Sequence, residues 1–273
     1  MNNYFNRYNL IFAYYVMSEI TELHKFHISI LANYINIFEN INIYLLYDDE
    51  SKIEENKTYI LNTLNRTDIN FIIIQNNPNY REGLIYKQYI IDKLDEYDGL
   101  TFFAHTKGVT NNLNLNQFEN TKLWISIMYF FNLNFYYNVE YSFNNENIMS
   151  WGAIYNYCIN NPVLYHWQYT GSFQWINTKK LKKYIKENNI DLSIYNKHSN
   201  IRACAEEFLG NTFDPKYAGF LNHNRYNKYF SHFLYENSNL PYYNISWVGF
   251  ELTDINSYND FFIFYKNINF KYE

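Results

Sequence analysis

The sequence predicts an α/β protein: a mostly parallel, Rossmann-type sheet flanked by helices, with an aromatic C-terminal extension. Three observations carry that prediction. Over the first hundred residues, four apolar strand-like runs alternate with segments of helical period, the pattern of βαβ units. The fourth run stops abruptly in His105-Thr106-Lys107-Gly108, and ligands of open α/β sheets bind just beyond the carboxyl ends of strands. The 273 residues are ample for one continuous domain with a large core.

The elements follow in order. Asn9–Met17 reads as a buried strand. Ser18 is a helix cap, and Ile20–Phe38 has apolar residues at helical spacing. Ile41–Tyr47 is a second strand ending in Asp48-Asp49-Glu50, and Ser51–Leu64 a second helix. Phe71–Gln75 is a third strand, Asn76–Tyr80 a turn with Pro78, and Glu82–Tyr97 a third helix. Leu100–Ala104 is the fourth strand. Val109–Glu119 is Asn-rich and reads as a loop; Asn120–Tyr137 reads as one long helix. Met149–Tyr155 is a short strand, and Tyr165–Ile176 a strand–turn–strand around Gly171. Thr178–Glu187 is a Lys-rich helix, and Ala203–Phe208 begins a short one. The chain from Thr212 onward is aromatic and irregular.

Composition excludes several classes. Aromatic residues make up 22% of the chain, with 31 Tyr and 23 Phe. Asn, Ile, Tyr, Lys and Phe share AT-rich codons, so this excess reads as an AT-rich genome, that of a large DNA virus or an AT-rich microbe. It is not evidence of base-stacking platforms. The net charge of −5 argues against a sequence-independent nucleic-acid binder, which needs a basic surface. The two cysteines, Cys158 and Cys204, form neither a CxxC pair nor a disulfide framework. No apolar run approaches the ~18 residues of a transmembrane helix, and no leader is evident. The expectation is a cytoplasmic protein, in a host cytoplasm or virion if viral. Its oligomeric state stays open.

Four clusters are candidates for chemistry. Asp48-Asp49-Glu50 can accept hydrogen bonds from a ribose, or can be a solvated helix start where acids favour the dipole. Arg81, Glu82 and Lys87 lie around the third helix; the basic pair suits phosphates, or Lys87 is an ordinary exposed lysine. His105, Thr106 and Lys107 form a rim suited to an anion, with Gly108 allowing the turn. The segment His166–Trp175 precedes Glu206-Glu207, and a carboxylate in a cleft is a natural general base for a sugar hydroxyl. The equal alternatives are a core for Trp167, Phe173 and Trp175 and an exposed helical turn for the glutamates. No HxxxH, HExxH, GxSxG, GxGxxG or GxxxxGK[ST] pattern occurs, which counts against zincin, serine-hydrolase, dinucleotide and P-loop readings.

In order, these motifs resemble a glycosyltransferase-like family with an HTKG motif, found in bacteria and large DNA viruses. NPNYREGLIYKQYIIDKLDEYDGLTFFAHTKGVTN, residues 77–111, resembles the segment leading into that motif. Trp124–Phe131, SWGAIY, HWQYTGSFQWINTKKLKKY and AEEFLG follow in the family's order. Ser172 stands where the family's Gly-Asn-Phe-Trp-Trp has Asn, and Gln174 where it has the first Trp. The likeness spans about residues 9 to 225.

The resemblance implies a GT-A fold. That fold binds a nucleotide-sugar donor, UDP- or GDP-linked, and moves its sugar to a hydroxyl of a glycan or protein acceptor. It implies a nucleotide-binding half at about 9–108 and an acceptor half at about 109–273. In that fold the strand ending in Ala104 leads into a metal-holding Asp-x-Asp. Here His105-Thr106-Lys107 replaces it, so a divalent cofactor, Mn or Mg, is placed in doubt and Lys107 becomes the expected counter-charge to the diphosphate. Ala13, Tyr14 and Asp48 or Asp49 would hold the nucleoside. Lys87, His105 and Thr106 would line the donor site. Gly171 and Ser172 would approach the sugar, with Trp175 supporting it. Glu206 or Glu207 would be the base. The competing expectation is a non-catalytic carbohydrate-binding protein on a degenerate GT-A scaffold.

Overall fold

Strand β1 (Tyr8–Val16) is the axis of the architecture, with seven of its nine side chains buried. In a parallel sheet covered on both faces, a central strand reads as a continuous apolar run rather than an alternating one. That is what NLIFAYYV supplies. The computed structural model describes residues 8–77, 82–86, 88, 99–110, 115–145, 147–157, 167–169, 172–191, 209, 212 and 218–223.

From β1 the chain passes through α1 (Glu22–Tyr34) to β2 (Asn40–Tyr47), then through α2 (Ile53–Leu64) to β3 (Ile69–Gln75). All three strands pair in parallel, in the order β3-β2-β1. After the short α3 (Gly83–Tyr86), β4 (Leu100–His105) returns to the other side of β1, again parallel. The strand order therefore reverses between β1 and β4. The expected third helix, Glu82–Tyr97, is described only over α3; Arg81, Lys87 and residues 89–98 lie outside the described residues.

The second half completes a mixed sheet of eight strands. Helix α4 (Leu115–Tyr129) passes through a π-helical turn, Phe130–Asn134, into α5 (Tyr136–Asn145). The single long helix expected over Asn120–Tyr137 is thus two, and α4 starts inside the expected loop. The break has a cause. The Asn132 side-chain amide donates to the Met128 carbonyl at 2.8 Å, and the Asn132 carbonyl accepts from the Trp175 indole at 2.9 Å.

Strands β5 (Ser150–Tyr157), β6 (Trp167–Tyr169), β7 (Gln174–Asn177) and β8 (Ala218–His223) follow, with α6 (Thr178–Glu187) after β7. Strand β7 lies antiparallel between β4 and β5. Ser150 is flanked by Ile176 and Ala218, and Tyr155 by Tyr169 and His223. So β6 and β7 follow one another along one edge of β5 and run the same way, while β8 takes the other edge. Between the Gly152–Gln174 and Tyr155–Tyr169 pairs, β5 advances three residues and the facing line five. In place of the expected strand–turn–strand, β6 and β7 run in the same direction, both antiparallel to β5. Strand β8, unexpected, falls in the stretch read as irregular.

Two apolar layers cover the sheet. Leu10, Phe12, Ile43, Phe102 and Trp175 pack under α1, α2 and α4. Ile11, Tyr44, Phe103 and Ile176 pack toward Ile85 of α3 and Leu181 of α6. Helix α1 is capped by Thr21, not Ser18: the Thr21 side chain accepts from the His24 amide, and the His24 ring reaches back to the Thr21 amide. This is a capping box with histidine at the third position. No helix among the described residues is long and apolar enough to cross a membrane.

Candidate functional site

The carboxyl ends of β1, β2, β3 and β4 converge at the point of strand-order reversal. At the β1/β4 seam the Thr106 amide donates to the Ala13 carbonyl at 2.9 Å, prolonging the ladder. The next rung is made by a side chain: the Tyr15 amide donates to Thr106 Oγ1 at 3.0 Å. The backbone is then free to turn. The Lys107 amide donates to the His105 carbonyl at 2.9 Å, and Gly108 takes φ +83°. A Cβ on Gly108 would lie 2.7 Å from Thr121 Cγ2, so both conformation and space require glycine there.

This turn sorts the residues of the expected rim. Thr106 is buried and its hydroxyl is committed to β1. His105 is buried too; its Nδ1 lies 3.8 Å from Glu82 Oε1, and its ring packs on Phe173, centroids 5.4 Å apart. Lys107 is half-buried at the tip. An imidazole with the Glu82 carboxylate beside it, a committed hydroxyl and an ammonium differ from the paired carboxylates of an Asp-x-Asp motif. Among the described residues no cluster of three or more His, Cys, Asp or Glu is placed to hold a metal.

At the end of β2 the two aspartates part company. The Tyr15 hydroxyl donates to Asp48 Oδ2, and the Asn76 side-chain amide donates to Asp48 Oδ1 at 2.9 Å. Asp48 is exposed, so its remaining lone pairs face solvent in a fixed orientation. Its two holders come from the carboxyl ends of β1 and β3. Asp49 is a cap: its side chain accepts from the Ser51 amide at 2.9 Å. Hydrogen bonds from Ser51, side chain then backbone, hold its carboxyl below the usual range.

Other expected site residues lie in the core. Ala13 and Tyr14 are within β1 rather than after it. Ala13 contributes only its carbonyl. The buried Tyr14 hydroxyl donates to Asn56 Oδ1 at 2.8 Å under α2, and burial pushes its phenol well above the ordinary value. Trp175 is fully buried, stacked near Phe38 and tilted against Phe102. This indole meets no solvent, which is the core alternative held for it above. Ser172 is buried at φ +56°, and among the described residues neither its Oγ nor Gln174 Nε2 has a hydrogen-bond partner. Lys87, His166, Gly171, Glu206 and Glu207 lie outside the described residues.

The sequence reading passed over Tyr15, Asn76, His24 and His27. The two histidines, three apart on the buried face of α1, were the visible signal. Their i, i+3 spacing matches neither HxxxH nor HExxH. Burial holds both neutral, His24 down to about 4 and His27 to about 3. No protein-family model and no curated protein matches the chain.

Proposed function

We propose that the chain is a glycosyltransferase of GT-A-like fold that binds a nucleotide-sugar donor at the β1/β4 reversal and transfers the sugar to a hydroxyl acceptor. The observation that carries this reading is the oriented Asp48 at the end of β2, with Lys107 at the tip of the turn after β4. With β1 between them, the two strand ends are about two strand spacings, ~10 Å, apart. That is the scale of a ribose 5′-diphosphate laid along the sheet edge.

In this reading Asp48 accepts the ribose hydroxyls, and Tyr15 and Asn76 hold it in place. The Lys107 ammonium neutralises charge on the departing diphosphate, the task of a metal in Asp-x-Asp enzymes. Glu206 or Glu207 takes the acceptor proton.

A thermal-shift panel of UDP, GDP and their sugars, with Mn²⁺ or with EDTA, tests it. A ligand that binds only the folded state raises Tm. At least one nucleotide should do so at millimolar concentration, and Lys107→Ala should abolish the diphosphate-dependent part. No shift with any of them overturns the reading. Binding without hydrolysis or transfer supports the non-catalytic scaffold instead.

A further inference from the structure

Helix α1 places two imidazoles against the two walls of the strand-order reversal. His24 Nε2 lies 2.8 Å from the Tyr15 carbonyl oxygen, at the end of β1. His27 Nε2 lies 3.1 Å from the Lys107 carbonyl oxygen, in the turn after β4. A carbonyl only accepts, so in each ring Nε2 carries the hydrogen and Nδ1 is the acceptor. The other contacts agree. His24 Nδ1 receives the Thr21 amide at 3.2 Å and faces the Thr21 hydroxyl at 2.8 Å. His27 Nδ1 faces the Tyr129 hydroxyl of α4 at 3.2 Å. Both histidines are fully buried, and His27 also packs between Phe12, Tyr129 and Phe173.

We propose that His24 and His27 form a bracket of neutral Nε2–H imidazoles that fixes the Lys107 turn relative to the end of β1, making His27 the positioning residue for the Lys107 ammonium. The role rests on the reading of Lys107 as the counter-charge of a diphosphate. The bracket itself does not. His27→Phe removes the N–H that ties the Lys107 carbonyl to α1, and a lost hydrogen bond at a partly buried carbonyl weakens the hold on the turn. The turn should then move and carry the ammonium with it.

The test uses the full chain. Imidazole nitrogen shifts at pH 7 should show both rings as neutral Nε2–H tautomers. In His27→Phe, exchange of the Lys107 amide should accelerate at least tenfold while amides of β2 keep their rates. His27→Gln, whose side-chain amide can donate from the Nε2 position, should restore most of the protection. Affinity for UDP or GDP, whichever the wild type binds, should fall at least tenfold in His27→Phe and return to within threefold in His27→Gln. If His27→Phe does not fold, Tyr129→Phe replaces it. That change removes the hydroxyl at Nδ1 and should release part of the ring into the other tautomer, with a smaller rise in Lys107 exchange. An Nδ1–H tautomer in the wild type, unchanged Lys107 exchange in the variant, or a Gln variant no better than Phe overturns the bracket. If the wild type binds no nucleotide, the role of Lys107 falls, and tautomer and exchange alone decide the bracket.

Discussion

Thr106 Oγ1 stands 3.0 Å from the Tyr15 amide nitrogen, where the next carbonyl of a parallel ladder would be. A side chain has replaced a backbone acceptor, so β4 can leave the sheet one residue early while β1 stays satisfied. Thr106→Ser should be nearly silent. Thr106→Val keeps the shape but removes the side-chain acceptor of the Tyr15 N–H, at a cost of about 1–3 kcal/mol. Urea denaturation of the two variants checks the difference.

Asp48 and Asp49 are adjacent and chemically identical, yet only Asp48 is held by neighbouring strand ends. Asp48→Ala should weaken nucleotide binding about ten- to a hundredfold, as expected for losing a charged hydrogen bond of about 1.5–3 kcal/mol. Asp49→Ala should leave affinity unchanged and lower stability slightly through its lost cap. Titration calorimetry on both variants separates the roles; equal losses would contradict them.

Gly108→Ala meets two obstacles at once, a φ of +83° and Thr121 Cγ2 at 2.7 Å. The expected loss is about 2 kcal/mol. Adding Thr121→Ser removes the methyl and should recover the steric share only. A thermal denaturation series reads both.

Trp175 stacks near Phe38 and donates its indole N–H to the Asn132 carbonyl. Trp175→Ala should cost about 3–5 kcal/mol of stability. Trp175→Phe should fold and bind any sugar ligand as the wild type does. A selective loss of sugar affinity in a stable Phe variant would instead give Trp175 a part in supporting the sugar.

Stability should fall on mild acidification. The unfolded imidazoles of His24 and His27 titrate near 6.5, the folded ones at about 4 and about 3. Below 6.5 the unfolded state therefore binds more protons, and unfolding becomes easier as pH drops. Between pH 7.5 and 5.5 each should cost about 1.4 kcal/mol. His27→Gln should remove its own share of that slope. Urea midpoints at the two pH values measure it.

Much of the frame is legible in the sequence because buried parallel strands are long apolar runs. Asn9–Met17 and Leu100–Ala104 are read within a residue or so, and Lys-rich Thr178–Glu187 to the residue. Boundaries set by distant partners are not legible. The α4/α5 break depends on Asn132 meeting Trp175, 43 positions on. The α1 cap moves from Ser18 to Thr21 because a histidine, not a glutamate, closes the box. Strand β8 lacks the alternation that would announce it. Trp175, four residues after Gly171, reads alike as a sugar support and as a core side chain. Asp48 and Asp49 differ only in what Tyr15, Asn76 and Ser51 offer them.

The position of Trp175 also bears on synthesis. Its ring closes the layer formed by Phe38 and Phe102, although it is translated some seventy residues after β4. At about 5–20 residues per second, the ribosome takes roughly 4–14 s to cover that interval. During it, β1 to β4 can pair but lack their capping strand β7, and β4 presents an open edge beside an unfilled aromatic layer. The nascent first half is thus an exposed intermediate rather than a finished module, and a fragment ending near Thr110 should aggregate instead of standing alone.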